Sequence, residues 1–322
     1  MLKIRIRNFF QNFLFLFNHH RPSKKPNVLL FSLPRSGSTW LQELIWSQPG
    51  FKYANEPLNI KEAFMQKKSN INGFKELYSE KSKPKVLKYF KNISQGKLHV
   101  LDPSPLRKNT RFFTNRIVFK VIHGGELFIN DIAQETNSKI VYLIRNPIAV
   151  SLSRKQLPRT NELTSKLVLS IFTAEEKDLI NTVMSNNDPM EKRVLLWCVQ
   201  NRLALHQKTD DWLIIFYENL TVEPEKVIKK LANHCDLPNA EKIIQSVNIP
   251  SAVTIQSEKA SVNLMQDTSN KRQELISKWR SKVSESDAKK YFEICKKMKL
   301  DIYKFDTDLP RMDFFNSKSW TA

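Results

Sequence analysis

The apolar run Val28–Ser32 leads directly into Leu33-Pro34-Arg35-Ser36-Gly37-Ser38-Thr39-Trp40, and a helical pattern follows at once. No other feature limits the fold of this chain as strongly. A short continuous apolar run reads as a strand buried on both faces. Ser38–Ser47 then carries Trp40, Leu41, Leu44 and Ile45 at helical spacing. A strand passing through a tight turn into a helix is half of a parallel βαβ unit. The pattern recurs: Leu98–Leu101, Ile117–Val121, Lys139–Ile144 and Trp212–Tyr217 read as strands. Leu127–Glu135, Met190–His206, Pro224–Cys235, Glu241–Val247 and Ser286–Met298 read as helices. The expected class is α/β, a three-layer fold with a central, mostly parallel sheet flanked by helices. No Gly/Ser-rich linker interrupts it, so 28–322 reads as one domain with inserted helical segments near 61–97 and 155–190.

The first turn has the makings of an anion cradle. Backbone N–H groups at a helix N-terminus are unpaired, and the helix dipole adds partial positive charge. Gly37 permits close backbone approach, Arg35 adds a fixed charge, and Ser36, Ser38 and Thr39 add hydroxyls. The triphosphate-binding pattern GxxxxGK[ST] is absent, because Ser32 stands where it needs Gly and no Lys follows Gly37. A second loop, Arg145-Asn146-Pro147, ends the run Val141–Ile144, and Ser153 follows eight residues after Arg145. Pro at a first helical position is tolerated, since its missing N–H would be unpaired there. A strand-end guanidinium and a hydroxyl two turns into the next helix can meet over one doubly charged phosphate.

Together the two loops resemble those of sulfotransferases that use 3′-phosphoadenosine 5′-phosphosulfate (PAPS). Pro34–Trp40 matches that family's 5′-phosphosulfate loop, PxSGxxW. Arg145–Ser153 matches its 3′-phosphate motif, RxPxxxxxS. Arg35, where the cytosolic small-molecule branch favours Lys, is closer to the carbohydrate (6-O type) and tyrosyl-protein branch. Trp197, Asn201, Phe216-Tyr217-Glu218-Asn219-Leu220 and Trp279-Arg280 extend the likeness over Val28 to Tyr303. Tyr217 and Glu218 read as packing and capping residues. The late RKG segment of the cytosolic branch is absent, with Lys278 and Arg280 as candidate substitutes.

The resemblance implies a P-loop-type fold and transfer of a sulfuryl group from PAPS to an acceptor hydroxyl by in-line displacement, with no metal. Arg35, Ser36, Gly37, Ser38, Thr39, Trp40, Arg145 and Ser153 would hold PAPS, and Arg35 would also stabilise charge on the transferring group. Glu56, in Asn55-Glu56-Pro57, is the first candidate for general base. His123, ending the strand after Lys120, is its rival, and Lys120 would contact the sulfuryl or acceptor side. The Glu-Pro pair and Arg35 point to a carbohydrate or glycolipid acceptor.

Composition supplies the remaining constraint. The chain has 52 Lys and Arg against 32 Asp and Glu in 322 residues, a formal charge of +20. Such a surplus invites an anionic partner. Residues 1–27 hold Lys3, Arg5, Arg7, Arg21, Lys24 and Lys25 and no acid. Between them Phe9–Phe17 is apolar but shorter than the roughly 20 residues a spanning helix needs. His19, His20, Arg21 and Pro22 follow it instead of a small-residue cleavage site, so a cleavable signal peptide is not expected. The segment reads either as a surface helix docked on the domain or as a peripheral membrane anchor. Lys81, Lys83, Lys85, Lys88, Lys91 and Lys97 read as a solvated helix face. Cys198, Cys235 and Cys295 are odd in number and lack metal-ligand spacing, which reads as reduced thiols in a cytoplasmic setting. No nucleic-acid motif is present, so no nucleic-acid partner is expected. Two competing readings remain: a P-loop small-molecule kinase, and a non-catalytic basic protein that binds membrane or nucleic acid.

Overall fold

Strand β2 (Asn27–Ser32) forms the middle of a five-stranded sheet whose order is β3-β5-β2-β6-β7. The computed structural model describes residues 17–100, 111–154, 157, 159–251 and 272–316. The other strands are β3 (Phe51–Asn55), β5 (Arg116–Val121), β6 (Ser138–Ile144) and β7 (Leu213–Phe216). All four neighbour pairings are parallel. A separate two-residue ladder joins β1 (His19–His20) to β4 (Phe113–Thr114).

Side-chain alternation divides the core in two. Leu29, Phe31, Phe119, Val121, Tyr142 and Ile144 face one apolar cluster, shared with the helices Lys83–Ser94, Ile129–Glu135, Pro189–Leu205 and Glu285–Lys297. Val28, Leu30, Val118, Val141 and Leu143 face the other, shared with the helices Ser38–Trp46, Pro224–Cys235 and Ala240–Ser246. Helices on both faces bury both sides of every central strand, which is why those strands are continuously apolar. The expected three-layer α/β arrangement with a parallel sheet is what the structure shows.

The sequence expectations differ from the structure in instructive places. Leu98–Val100 forms no strand; instead the Lys97 and Leu98 N–H groups donate to the Asn92 carbonyl and close the preceding helix. Val100 is buried without ladder pairing, so its apolar neighbourhood reports burial rather than a sheet. The expected end of that strand, Leu101, lies outside the described residues. Conversely, the edge strand β3 was not read from the sequence. It has a single partner, β5, and carries Lys52 and Asn55, which blur its pattern. The stretches 61–97 and 159–190 are largely helical, while most of Phe9–Phe17 lies outside the described residues. Lys83, Lys85 and Lys91 pair with Asp131, Glu76 and Glu135 across the helix surface.

Candidate active site

Parallel register brings four strand ends to one edge. Phe31 lies opposite both Val121 and Tyr142, and Asn55 lies opposite Lys120. The segments that follow these strands therefore emerge together: Leu33–Gly37, Ile122-His123, Arg145-Asn146 and Glu56. The helix after β2 packs on one face of the sheet and that after β5 on the other, so a crevice opens beside β2 at its carboxyl end. Ligands of open α/β sheets bind at such a point.

The first half of the site is basic. Gly37 caps the helix Ser38–Trp46 in the left-handed region, φ 89°, with no side-chain cap, which leaves the first-turn amides uncapped. A Cβ at Gly37 would lie 2.5 Å from Tyr217 Cδ2, so only glycine fits. Arg35 also has positive φ, 74°. Its Nε donates to Ser153 Oγ at 2.8 Å, and Arg145 Nη1 donates to the Arg35 carbonyl at 3.1 Å. The Arg145 guanidinium sits 4.1 Å above the Tyr217 ring, a cation–π contact that fixes its plane. Residues from both loop motifs thus touch. Among the described residues, neither guanidinium forms an ion pair with a carboxylate. Two fixed charges facing a crevice beside free amides suit a polyanion. Ser36 and Ser38 are buried in the turn, and Trp40 packs edge-on against Tyr217 at 6.1 Å. These three shape the loop more than they display polar groups.

Behind the basic loops stands a scaffold. Asn146 Oδ1 accepts from the Ile148 and Ala149 amides at 2.9 and 3.1 Å, starting the next helix. Glu218 accepts from the Asn146 amide at 2.9 Å and from the Tyr303 hydroxyl at 2.7 Å. Burial raises its carboxyl pKa. Arg280 donates to Asp308 at 2.7 Å and lies over Trp279, which commits it to the fold rather than to a ligand.

The second half is a hydrogen-bonded cluster. Lys120 Nζ donates to Thr39 Oγ1 and to Glu56 Oε1, each at 2.9 Å. Glu56 Oε2 lies 3.1 Å from His123 Nε2. The Glu56 amide donates to the Lys120 carbonyl at 2.9 Å, and Glu56 itself has φ 49°. The Lys120 side chain is 3% exposed, and this carboxylate is its ion-pair partner. Burial pushes the Glu56 carboxyl upward, but the His123 hydrogen bond and the Lys120 ammonium outweigh it and hold the group at about 2. The two base candidates, rivals in the sequence, are partners in space. The sequence reading missed the Thr39–Lys120 bond, which couples the anion loop to this cluster. It also missed Tyr217 as the platform for Arg145; the only sequence signal is an aromatic residue just past β7.

Gly37→Ala should lower the melting temperature by about 2 °C and weaken binding of 3′,5′-adenosine bisphosphate more than tenfold. Strain at positive φ costs on the order of 1 kcal/mol, and moving Tyr217 would also displace Arg145. Thermal melts and calorimetric titration check this; unchanged affinity would remove Gly37 from the site.

The profile of the Sulfotransferase domain family matches residues 25–304. The chain belongs to that family. Among solved structures it is similar to the sulfotransferase domain of the Synechococcus PCC 7002 olefin synthase, at 19% identity. That match covers 89% of this chain and 97% of the other, with a TM-score of 0.48. It is also similar to mouse sulfotransferase SULT7A1 complexed with PAP, at 15% identity, 89% and 88% coverage and a TM-score of 0.41. A third is the sulfotransferase domain from the curacin biosynthetic pathway, at 16% identity, 80% and 98% coverage and a TM-score of 0.39. No curated protein matches the chain.

Proposed function

We propose that the protein transfers a sulfuryl group from PAPS to an acceptor hydroxyl on a carbohydrate or glycolipid. The observation that carries this reading is the pair of guanidiniums, Arg35 and Arg145, without an ion-pair partner among the described residues and tied to each other and to Ser153 beside the Lys120–Glu56–His123 cluster. PAPS would supply an activated sulfur with a phosphate leaving group. Arg145 and Ser153 would hold its 3′-phosphate, while Arg35, Thr39 and the first-turn amides would hold the phosphosulfate. The acceptor class rests on the likeness of Arg35 and Glu56-Pro57 to the carbohydrate branch.

Within this reading His123 receives the acceptor proton. Glu56 occupies Nε2 and fixes the ring, so Nδ1 is the nitrogen left to accept. Although Glu56 led the sequence reading, a carboxylate held at about 2 is a weak proton acceptor. Its position favours orienting His123 and neutralising Lys120, as the carboxylate of a hydrolase triad does for its histidine. Lys120, touching both Thr39 and Glu56, lies between the anion loop and the base and is suited to charge developing on the transferred group.

A thermal-shift series with 3′,5′-adenosine bisphosphate, ATP–Mg²⁺ and duplex DNA tests the donor. Saturating bisphosphate should raise the melting temperature by about 5 °C, the value for ~2.7 kcal/mol at a hundredfold excess over Kd. Stabilisation by ATP–Mg²⁺ alone would instead select a kinase, and by DNA alone a binding protein. Transfer of labelled sulfate from PAPS to a carbohydrate panel tests the acceptor.

A further inference from the structure

Among the described residues, none of 17–25 hydrogen-bonds to the site above. The first acidic residue in the chain is Glu43, so everything before it is basic or neutral. Residues 17–25 run beside residues 112–115. His19 pairs with Phe113 and His20 with Thr114. The Arg21 amide donates to the Thr114 carbonyl at 2.9 Å, and the Ser23 amide to the Asn115 carbonyl at 3.0 Å. His20 pins this ladder to the body, with Nδ1 3.0 Å from Thr114 Oγ1 and Nε2 3.1 Å from the Ser94 carbonyl. The ladder presents Phe17, Phe112 and Phe113 at 50%, 54% and 78% exposure. Phe113 is the most exposed large hydrophobic side chain among the described residues. Along the same stretch Arg21 and Lys24 are exposed, while Lys25 pairs with Asp236 at 3.2 Å.

We propose that this face docks on an anionic lipid surface, with Phe112 and Phe113 entering the interface and Arg21 and Lys24 meeting the headgroups. Aromatic rings rimmed by cations are the composition that binds such surfaces. The adjoining sequence continues it. Phe9–Phe17 is apolar at seven of nine positions with no charge inside, and Lys3, Arg5 and Arg7 precede it. A nucleic-acid groove would interleave single aromatics with cations along a track, whereas here an apolar block is flanked by charge. A second copy of the chain is disfavoured, because two identical basic faces repel.

The fold then sets an orientation. Phe113 precedes Arg116, where β5 begins, and Lys120 lies four residues further along that strand, about 13 Å at strand rise. The docking face is therefore at the amino edge of the sheet and the catalytic cluster at the carboxyl edge. A docked molecule turns its active site toward water, so the acceptor arrives from the aqueous side or on a headgroup that reaches that far. The docking itself uses none of the site residues and is independent of the sulfuryl-transfer reading; only the direction from which the acceptor arrives rests on that reading.

The full chain should be sedimented with phosphatidylcholine vesicles, alone and mixed with phosphatidylglycerol. Partitioning onto the anionic vesicles is expected to exceed that onto neutral ones by at least about tenfold and to fall with added salt. The double variants Phe112→Ser/Phe113→Ser and Arg21→Glu/Lys24→Glu should each lose about tenfold while melting as the parent does. Should either variant fold poorly, the salt titration of the unaltered chain carries the test. The proposal is overturned by equal binding to both vesicle types or by none. It is also overturned if the phenylalanine variant abolishes self-association or binding of single-stranded nucleic acid while vesicle binding persists.

Discussion

His123→Asn is expected to lower kcat by about 10²–10⁴-fold, the range for removing a positioned general base, with bisphosphate affinity unchanged. Among the described residues the ring's hydrogen bond is to Glu56 and not to the anion loop, so binding and chemistry separate. Glu56→Gln should lower kcat comparably, for a different reason: it frees the imidazole and leaves the buried Lys120 ammonium without its counter-ion. It should therefore also cost stability, whereas His123→Asn should cost little. The linkage has a definite sign. The Glu56 carboxyl is held below its unfolded value, so its contribution is complete above about pH 4.5 and is lost as pH falls through about 2. The full contribution is on the order of 3 kcal/mol. Denaturant unfolding at pH 7 and at pH 3, for the parent and Glu56→Gln, reads it directly. Near-parental kcat in His123→Asn would return the role of base to Glu56.

Arg145→Ala should weaken bisphosphate binding by two orders of magnitude or more. Charge-assisted hydrogen bonds are worth roughly 1.5–3 kcal/mol each, and a guanidinium on a phosphate makes two of them. The loss should be specific to the 3′-phosphate, so 5′-AMP binding should change little. Arg145→Lys should recover part of the affinity, because the charge remains but the planar fork and its seat on Tyr217 do not. Calorimetric titration of both ligands against the three proteins gives the comparison. Bisphosphate affinity within a few-fold of the parent in Arg145→Ala would break the assignment of the second loop.

Both loops were legible because each is local. The Pro34–Trp40 turn needs glycine where the chain takes positive φ, small hydroxyl residues in a tight bend, and a cation aimed outward. All of that is written within seven residues. Arg145 and Ser153 are likewise set by one strand end and one helix. Tyr217 and Glu218 were read as packing and capping residues, and Glu218 does accept from the Asn146 amide and the Tyr303 hydroxyl. The role of Tyr217 beneath Arg145 was not legible, because 72 residues separate them.

Periodicity along the chain determined the α/β class, the central strands β2, β5 and β6, and six of the helices within a residue or two. These depend on hydrophobic patterns that repeat over a few residues. It did not determine β3, whose edge position relaxes the need for apolar residues, nor the absence of pairing at Leu98–Val100. Tertiary structure alone decided the strand order and, through it, the reactive cluster. Glu56 meets Lys120 across 64 residues and His123 across 67, and Arg35 meets Ser153 across 118. Such contacts follow from the parallel register of β3 on β5 and of β2 on both its neighbours. No local pattern encodes that register, because it is set by how whole elements pack. Sequence supplied two candidate bases; only the packed sheet turned them into a carboxylate and the imidazole it holds.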